Sequence, residues 1–318
     1  MKKASEWTRS IMRVGMAVLL AGCIGACTDN TSPRPASQTV VDVLSGNSDF
    51  SILKDAVEYA GLTRDLRLNT VTVFAPTNAA FQASGFADAA AVKALPASTV
   101  KSLLQYHMIG FNVPSSQLVV GKNEAVTTLQ GGNVYVTKLD ANSGVSVNNA
   151  RVTKADMQAQ NGLIHVIDRV LMVPTQNLLE IAQADPNLTY LVAAATRAAA
   201  SNPAVVSALT STKNVYTVFA PTNEAFIAAG FPTLASIQSA PAATLAGIVL
   251  NHVIADRAFS PTLVKGEANT ASGGKLAVDV SNGVTVTSKG NAQASKVVKA
   301  DILATNGVIH IIDRVLLP

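Results

Sequence analysis

The chain has 318 residues, 48% of them hydrophobic and 5% aromatic, with a formal charge of +4. That length suits about two packed domains. Lys2, Lys3, Arg9 and Arg13, offset by Glu6, put most of the net charge into the first 13 residues. No Lys/Arg run follows, so the basic footprint that a phosphate backbone requires is missing and no nucleic acid partner is expected.

The first predicted element is an export signal over residues 1–23. Its basic start precedes an apolar run, Val14 to Ala21, too short for a membrane-spanning helix. Leu20-Ala21-Gly22-Cys23 resembles the bacterial lipobox, whose cysteine becomes the lipidated first residue of the mature protein. Ile24-Gly25-Ala26-Cys27 is the alternative, with Gly where that motif usually has Ala or Ser, and Cys27 opens the polar stretch "TDNTSPRPASQ". Residues 24–36 are expected to form a flexible tether. Cys23 and Cys27 are the only cysteines, so the folded part is expected to carry no disulfide, thiol nucleophile or cysteine metal site.

Beyond the tether the chain repeats itself. "TVFAPTN" occurs at 72–78 and again at 217–223, an offset of 145 kept by His107 and His252, by "KAD" at 154–156 and 299–301, and by His165 and His310. Two domains follow, 37–174 and 175–318, joined without a Gly/Ser spacer. An insertion in the second copy, "ASNPAVVSALTS", is expected in a surface connection.

Each copy starts helical. Phe50, Leu53, Val57 and Ala60 recur at helical spacing. "TVTVFAP" reads as a strand, Thr77 as a helix cap, and "ASTVKSLLQYHMI" as a further helix. Short alternating strands follow: "NVYVT", "GVSVNNARVT" and "GLIHVIDRVLM", with Asn161-Gly162 as a turn signal. Helices first and an antiparallel sheet second make an α+β domain.

"TVFAPTNAAF" and "TVFAPTNEAF", "NGLIHVID" and "NGVIHIID", and the intervening Tyr106-His107 and Asn251-His252 pairs resemble the fasciclin-like (FAS1) domain. The resemblance covers everything past the tether. It implies two tandem domains, each a wedge of β-strands with helices packed alongside. It also implies a role in adhesion, with extracellular matrix, cell-surface protein or glycan as partner. By the same resemblance the Tyr-His region, and an Asp-Ile pair before the second motif, are implicated in integrin recognition in animal relatives. Asp301-Ile302 matches that pair and Asp156-Met157 matches it in part.

The residues themselves suggest plainer roles. Val100, Leu103, Leu104, His107 and Met108 share one helix face, as do Leu245, Ile248, Val249, His252 and Val253, so both histidines read as hydrogen-bonded core. Tyr106 is off that stripe and becomes Asn251 in the second copy, which makes it the surface candidate of the pair. His165 and Asp168 are three apart in a strand, on opposite faces, and cannot act as an acid–base pair. A metal would need His107, His165 and a carboxylate to converge. Nothing in the pattern suggests that, and no phosphate loop, nucleophile elbow or H-E-x-x-H occurs. The expectation is a lipid-anchored cell-envelope module without cofactor or catalytic activity. The alternatives are a receptor for a polysaccharide or small molecule and, more remotely, an enzyme.

Overall fold

The computed structural model describes residues 38–118, 120–138 and 144–318. The predicted signal and tether, with Cys23 and Cys27, lie outside the described residues. The first helix, α1 (Val40–Ser45), opens on a capping box: the Thr39 hydroxyl accepts the Asp42 N–H, and the Asp42 carboxylate accepts the Thr39 N–H. Then come α2 (Ser51–Tyr59), α3 (Thr63–Leu68), strand β1 (Val71–Pro76), α4 (Asn78–Ala83), α5 (Ala89–Lys93) and α6 (Ala97–Tyr106). Thr77 caps α4 as its sequence predicts, accepting the Ala80 N–H. The rest of the first half is strand: β2 (Met108–Ile109), β3 (Gly121–Thr127), β4 (Asn133–Lys138), β5 (Val145–Val147), β6 (Ala150–Ala159) and β7 (Gly162–Ile167). The helix expected to continue through Ile109 therefore stops at Tyr106, because the next residues pair with β1 as β2.

The seven strands lie in the order β2-β1-β7-β6-β5-β4-β3. All neighbouring pairs are antiparallel except β1 and β7, which run parallel from Val71↔Gly162 to Pro76↔Ile167. The sequence suggests an antiparallel sheet throughout. The exception arises because most of the domain separates β1 from β7, so no hairpin fixes their relative direction. Both strands are buried along their whole length, as strands covered on two faces must be. On one face Val73 and Ile164 join Leu53, Val57, Val100 and Leu104 under the helices. On the other, Phe74 and Ile167 join Tyr106, Val126, Val134 and Val147 inside the curve of the sheet. The Leu129 N–H donates to the Met108 carbonyl at 2.8 Å, drawing the two sheet edges toward a near-barrel.

The second half repeats this plan. Its helices are α7 (Leu178–Ala184), α8 (Thr189–Ala199), α9 (Ala204–Thr210), α10 (Asn223–Ala228), α11 (Leu234–Ser239) and α12 (Ala242–Asn251). Its strands are β8 (Tyr216–Pro221), β9 (Val253–Ile254), β10 (Gly266–Asn269), β11 (Lys275–Asp279), β12 (Thr285–Ser288), β13 (Ser295–Ala304) and β14 (Gly307–Ile312). Strands β8 and β14 form the parallel pair. The inserted stretch is not a bare surface connection. It contains α9, whose Val205, Ala208 and Leu209 share one helix face and are buried in the core. Each half is thus an α+β unit, and the chain from Ser37 to Pro318 forms one compact body. Among the described residues, no helix is long and apolar enough to cross a membrane.

Candidate functional site

His107 and His252 stand at the C-caps of α6 and α12. The His107 Nδ1–H donates to the Leu103 carbonyl at 2.8 Å, and its Nε2 accepts the Leu171 N–H at 2.9 Å. His252 does the same with the Ile248 carbonyl and the Leu316 N–H, each at 2.8 Å. These partners require the neutral ring. Burial pushes both imidazoles down to about 4. Neither ring nitrogen is left to bind a ligand or to take up a further proton near neutral pH.

His165 and Asp168 part company as the strand period predicts. Asp168 accepts the Arg151 N–H at 2.7 Å and so caps backbone, as Asp313 does for Lys296. His165 instead meets Asp156. Strand β6 bulges there, and Asp156 sits at a φ of 57°, Asp301 of β13 at 63°. The Asp156 N–H donates to His165 Nδ1 at 3.2 Å, while His165 Nε2–H donates to the Val113 carbonyl at 2.8 Å. The Asp156 carboxylate accepts the Ser115 N–H at 2.8 Å and the Ser115 hydroxyl. Burial raises the pKa of this carboxyl group, but the two Ser115 hydrogen bonds outweigh that and hold it below its usual range. Asp301, His310, Ser260 and Ala258 repeat the network in the second half. Burial likewise lowers the pKa of His310, against the pull of Asp301.

A serine, an aspartate and a histidine thus come together twice, but not as a nucleophile with its base. The serine hydroxyl bonds the carboxylate, and both histidine nitrogens are occupied by backbone. The network pins a bulge to the loop after β2. Met157 and Ile302, the second members of the two candidate pairs, are half-buried against the helix-side cores. Among the described residues, no group of His, Cys, Asp or Glu converges in a way that could hold a metal.

Tyr106 departs from its sequence reading. It is fully buried, and so is Asn251. The face of α6 opposite its Val100–Leu104 stripe turns into the curve of the sheet, where Tyr106 joins Phe74, Ile109 and Val134. There the Tyr106 hydroxyl donates to the Asn133 carbonyl at 2.7 Å, and the ring covers Gly132, where a Cβ would come within 3.3 Å of it. In the second half Asn251 fills this space with a polar cluster, donating to the Ser288 hydroxyl at 2.9 Å and the Leu316 carbonyl at 3.1 Å. The change from aromatic to amide marks two ways of filling one interior site, not exposure.

A different region distinguishes the halves. The loop after β9 carries Arg257 and Phe259 against β3 and β4 of the first half. The Arg257 guanidinium carbon lies 3.8 Å from the centre of the Tyr135 ring, and Phe259 is 6.5 Å from that ring, centre to centre. The Asn123 amide donates to the Arg257 carbonyl. Sequence reasoning missed these residues. A signal was available: at the offset of 145, Arg257 replaces Asn112.

Two helix-backed seven-stranded sheets, each pinned by the same His–Asp–Ser network, define a tandem α+β module. The Fasciclin domain model matches residues 48–174 and 190–318, and the chain belongs to that family. It is 34% identical over 260 residues to the transforming growth factor-beta-induced protein ig-h3 of Sus scrofa. That match takes in 78% of this chain and only 34% of the relative. It is 32% identical over 145 residues to the cell surface glycolipoprotein MPB83 of Mycobacterium bovis, covering 46% of this chain and 59% of the relative. A solved FAS1 domain pair from the insect cell adhesion molecule fasciclin I aligns with a TM-score of 0.42 at 20% identity, over 84% of this chain and 96% of that one.

Proposed function

We propose that this chain is a non-catalytic adhesion module of the cell envelope, anchored through a lipid on Cys23 or Cys27. Its partner is an extracellular-matrix or cell-surface protein or glycan. The supporting observation is that the histidines and bulge aspartates that could do chemistry in either domain are spent on backbone and hydroxyl partners. Recognition then falls to the outer surface. The name of the mycobacterial relative, a cell surface glycolipoprotein, is in keeping with the lipobox reading. Residues 37–174 and 175–318 are the two binding domains in this proposal, with 24–36 as the tether.

Cells producing the full chain are expected to incorporate a clickable fatty acid into it and to adhere to collagen- or polysaccharide-coated surfaces more strongly than cells without it. The double variant Cys23→Ala/Cys27→Ala should lose the label and the cell adhesion together. Labelling as strong as wild type in that variant refutes the anchor. Adhesion equal to that of cells lacking the chain refutes the adhesive role.

A further inference from the structure

Arg257 is only 3% exposed, yet no carboxylate lies within ion-pair range, and its guanidinium donates no hydrogen bond among the described residues. The Tyr135 face offsets part of the cost of burying the charge, but an aromatic face does not satisfy the N–H fork. Beside it the Asn123 side-chain oxygen is buried without a partner. Polar groups left open in this way mark an unfilled requirement.

Arg257 also lines a cavity of about 390 Å³ between the halves, with Lys122 on the first-half side. Ile254 and Val278 contribute apolar wall. Two acidic residues line it as well. The Asp256 carboxylate accepts the Arg257 backbone N–H at 2.7 Å and keeps its charge, while Glu267 is held by Lys275 at 2.8 Å. With Glu267 paired, Arg257 and Lys122, one from each half, set against Asp256, leave the cavity one net positive charge. The volume falls within the roughly 300–1,000 Å³ of small-molecule sites. The arrangement occurs once: at the offset of 145, Asn112 stands in the first half where the second has Arg257.

We propose that this cavity binds a small organic carboxylate of about the size of one sugar acid, its carboxylate against Arg257 and Lys122 and its carbon skeleton on the apolar wall. The site requires both domains. It goes beyond the adhesive reading and does not depend on it: a chain that adheres but takes up no carboxylate loses only this proposal, and the converse loses only the other.

Calorimetric titration of the full chain with glucuronate, glutamate, glucose and inorganic phosphate tests it. Binding of glucuronate or glutamate, with none of glucose and weaker binding of phosphate, is the expected result. The two carboxylates distinguish a sugar acid from an amino acid as source. Lys122→Ala changes an exposed side chain, so it should leave the melting temperature alone and weaken binding about ten- to a hundredfold, the size of one lost charge-assisted contact. Arg257→Lys should weaken it comparably, because the fork is lost while the charge remains. Three results overturn the proposal: no binding of either carboxylate, phosphate binding as tightly as they do, or unchanged affinity in Lys122→Ala.

Discussion

Gly162→Ala is expected to unfold the first domain or to cost it more than about 4 kcal/mol, and Gly307→Ala to do the same to the second. Both glycines begin the last strand of their sheet, opposite the first residue of its parallel partner, Val71 or Tyr216. A Cβ built on either would fall inside that residue's carbonyl oxygen, and the obstacle is backbone, which cannot rotate away as a side chain could. Relief requires parting β1 from β7, the two strands between which the helical core and the sheet core are divided. Since a domain is held by only about 5–15 kcal/mol in all, most of its stability is at risk. Thermal unfolding by circular dichroism checks this. A Gly162→Ala protein melting within about 2 °C of wild type, a shift of under about 1 kcal/mol, contradicts the close approach.

Acid is expected to loosen both domains well before the carboxylates titrate. His107 and His252 have folded pKa values near 4 against 6.5 when unfolded. A depressed value means that the unfolded state binds the proton more readily. The contribution is fully present above pH 6.5 and is lost as the pH falls from there toward about 4. The span corresponds to about 3 kcal/mol for each domain. The lowered pKa of Asp156 acts in a separate window, below its ordinary 3.8. Urea midpoints at neutral pH, pH 5.5 and pH 4 should fall progressively. Equal midpoints across that range would show that these imidazoles do not titrate as buried neutral rings.

Much of this was legible in the sequence because the chain is written twice. The repeat, the helices-then-strands order, the Thr77 cap and the buried histidines all rest on local periodicity or on the constant offset. What was not legible depends on long-range geometry. Asn161-Gly162 reads as a turn pair, but Gln160 and Asn161 make the connection and Gly162 is already in β7, where its missing side chain admits the Val71 carbonyl. Tyr106 reads as exposed because helical periodicity assumes solvent opposite the apolar stripe, whereas the end of α6 has a second core, inside the sheet, on that side. The parallel β1–β7 pairing and the bulge that joins Asp156 to His165 link residues that no local pattern connects. Arg257 stands out only when the copies are compared position by position, and then only as a difference from Asn112.

The central claim is that the repeated His-x-x-Asp line serves as scaffold and not as a site. His165→Ala in the full chain, assayed for melting temperature and for adhesion to the same coated surfaces, tests it most directly. The substitution strands the Asp156 N–H and the Val113 carbonyl, each worth about 1–3 kcal/mol when buried and unpaired. The melting temperature should therefore fall by about 5 °C or more, while adhesion per folded molecule, measured below the transition, stays at the wild-type level. An unchanged melting temperature with adhesion lost would contradict the account and make His165 part of the binding site.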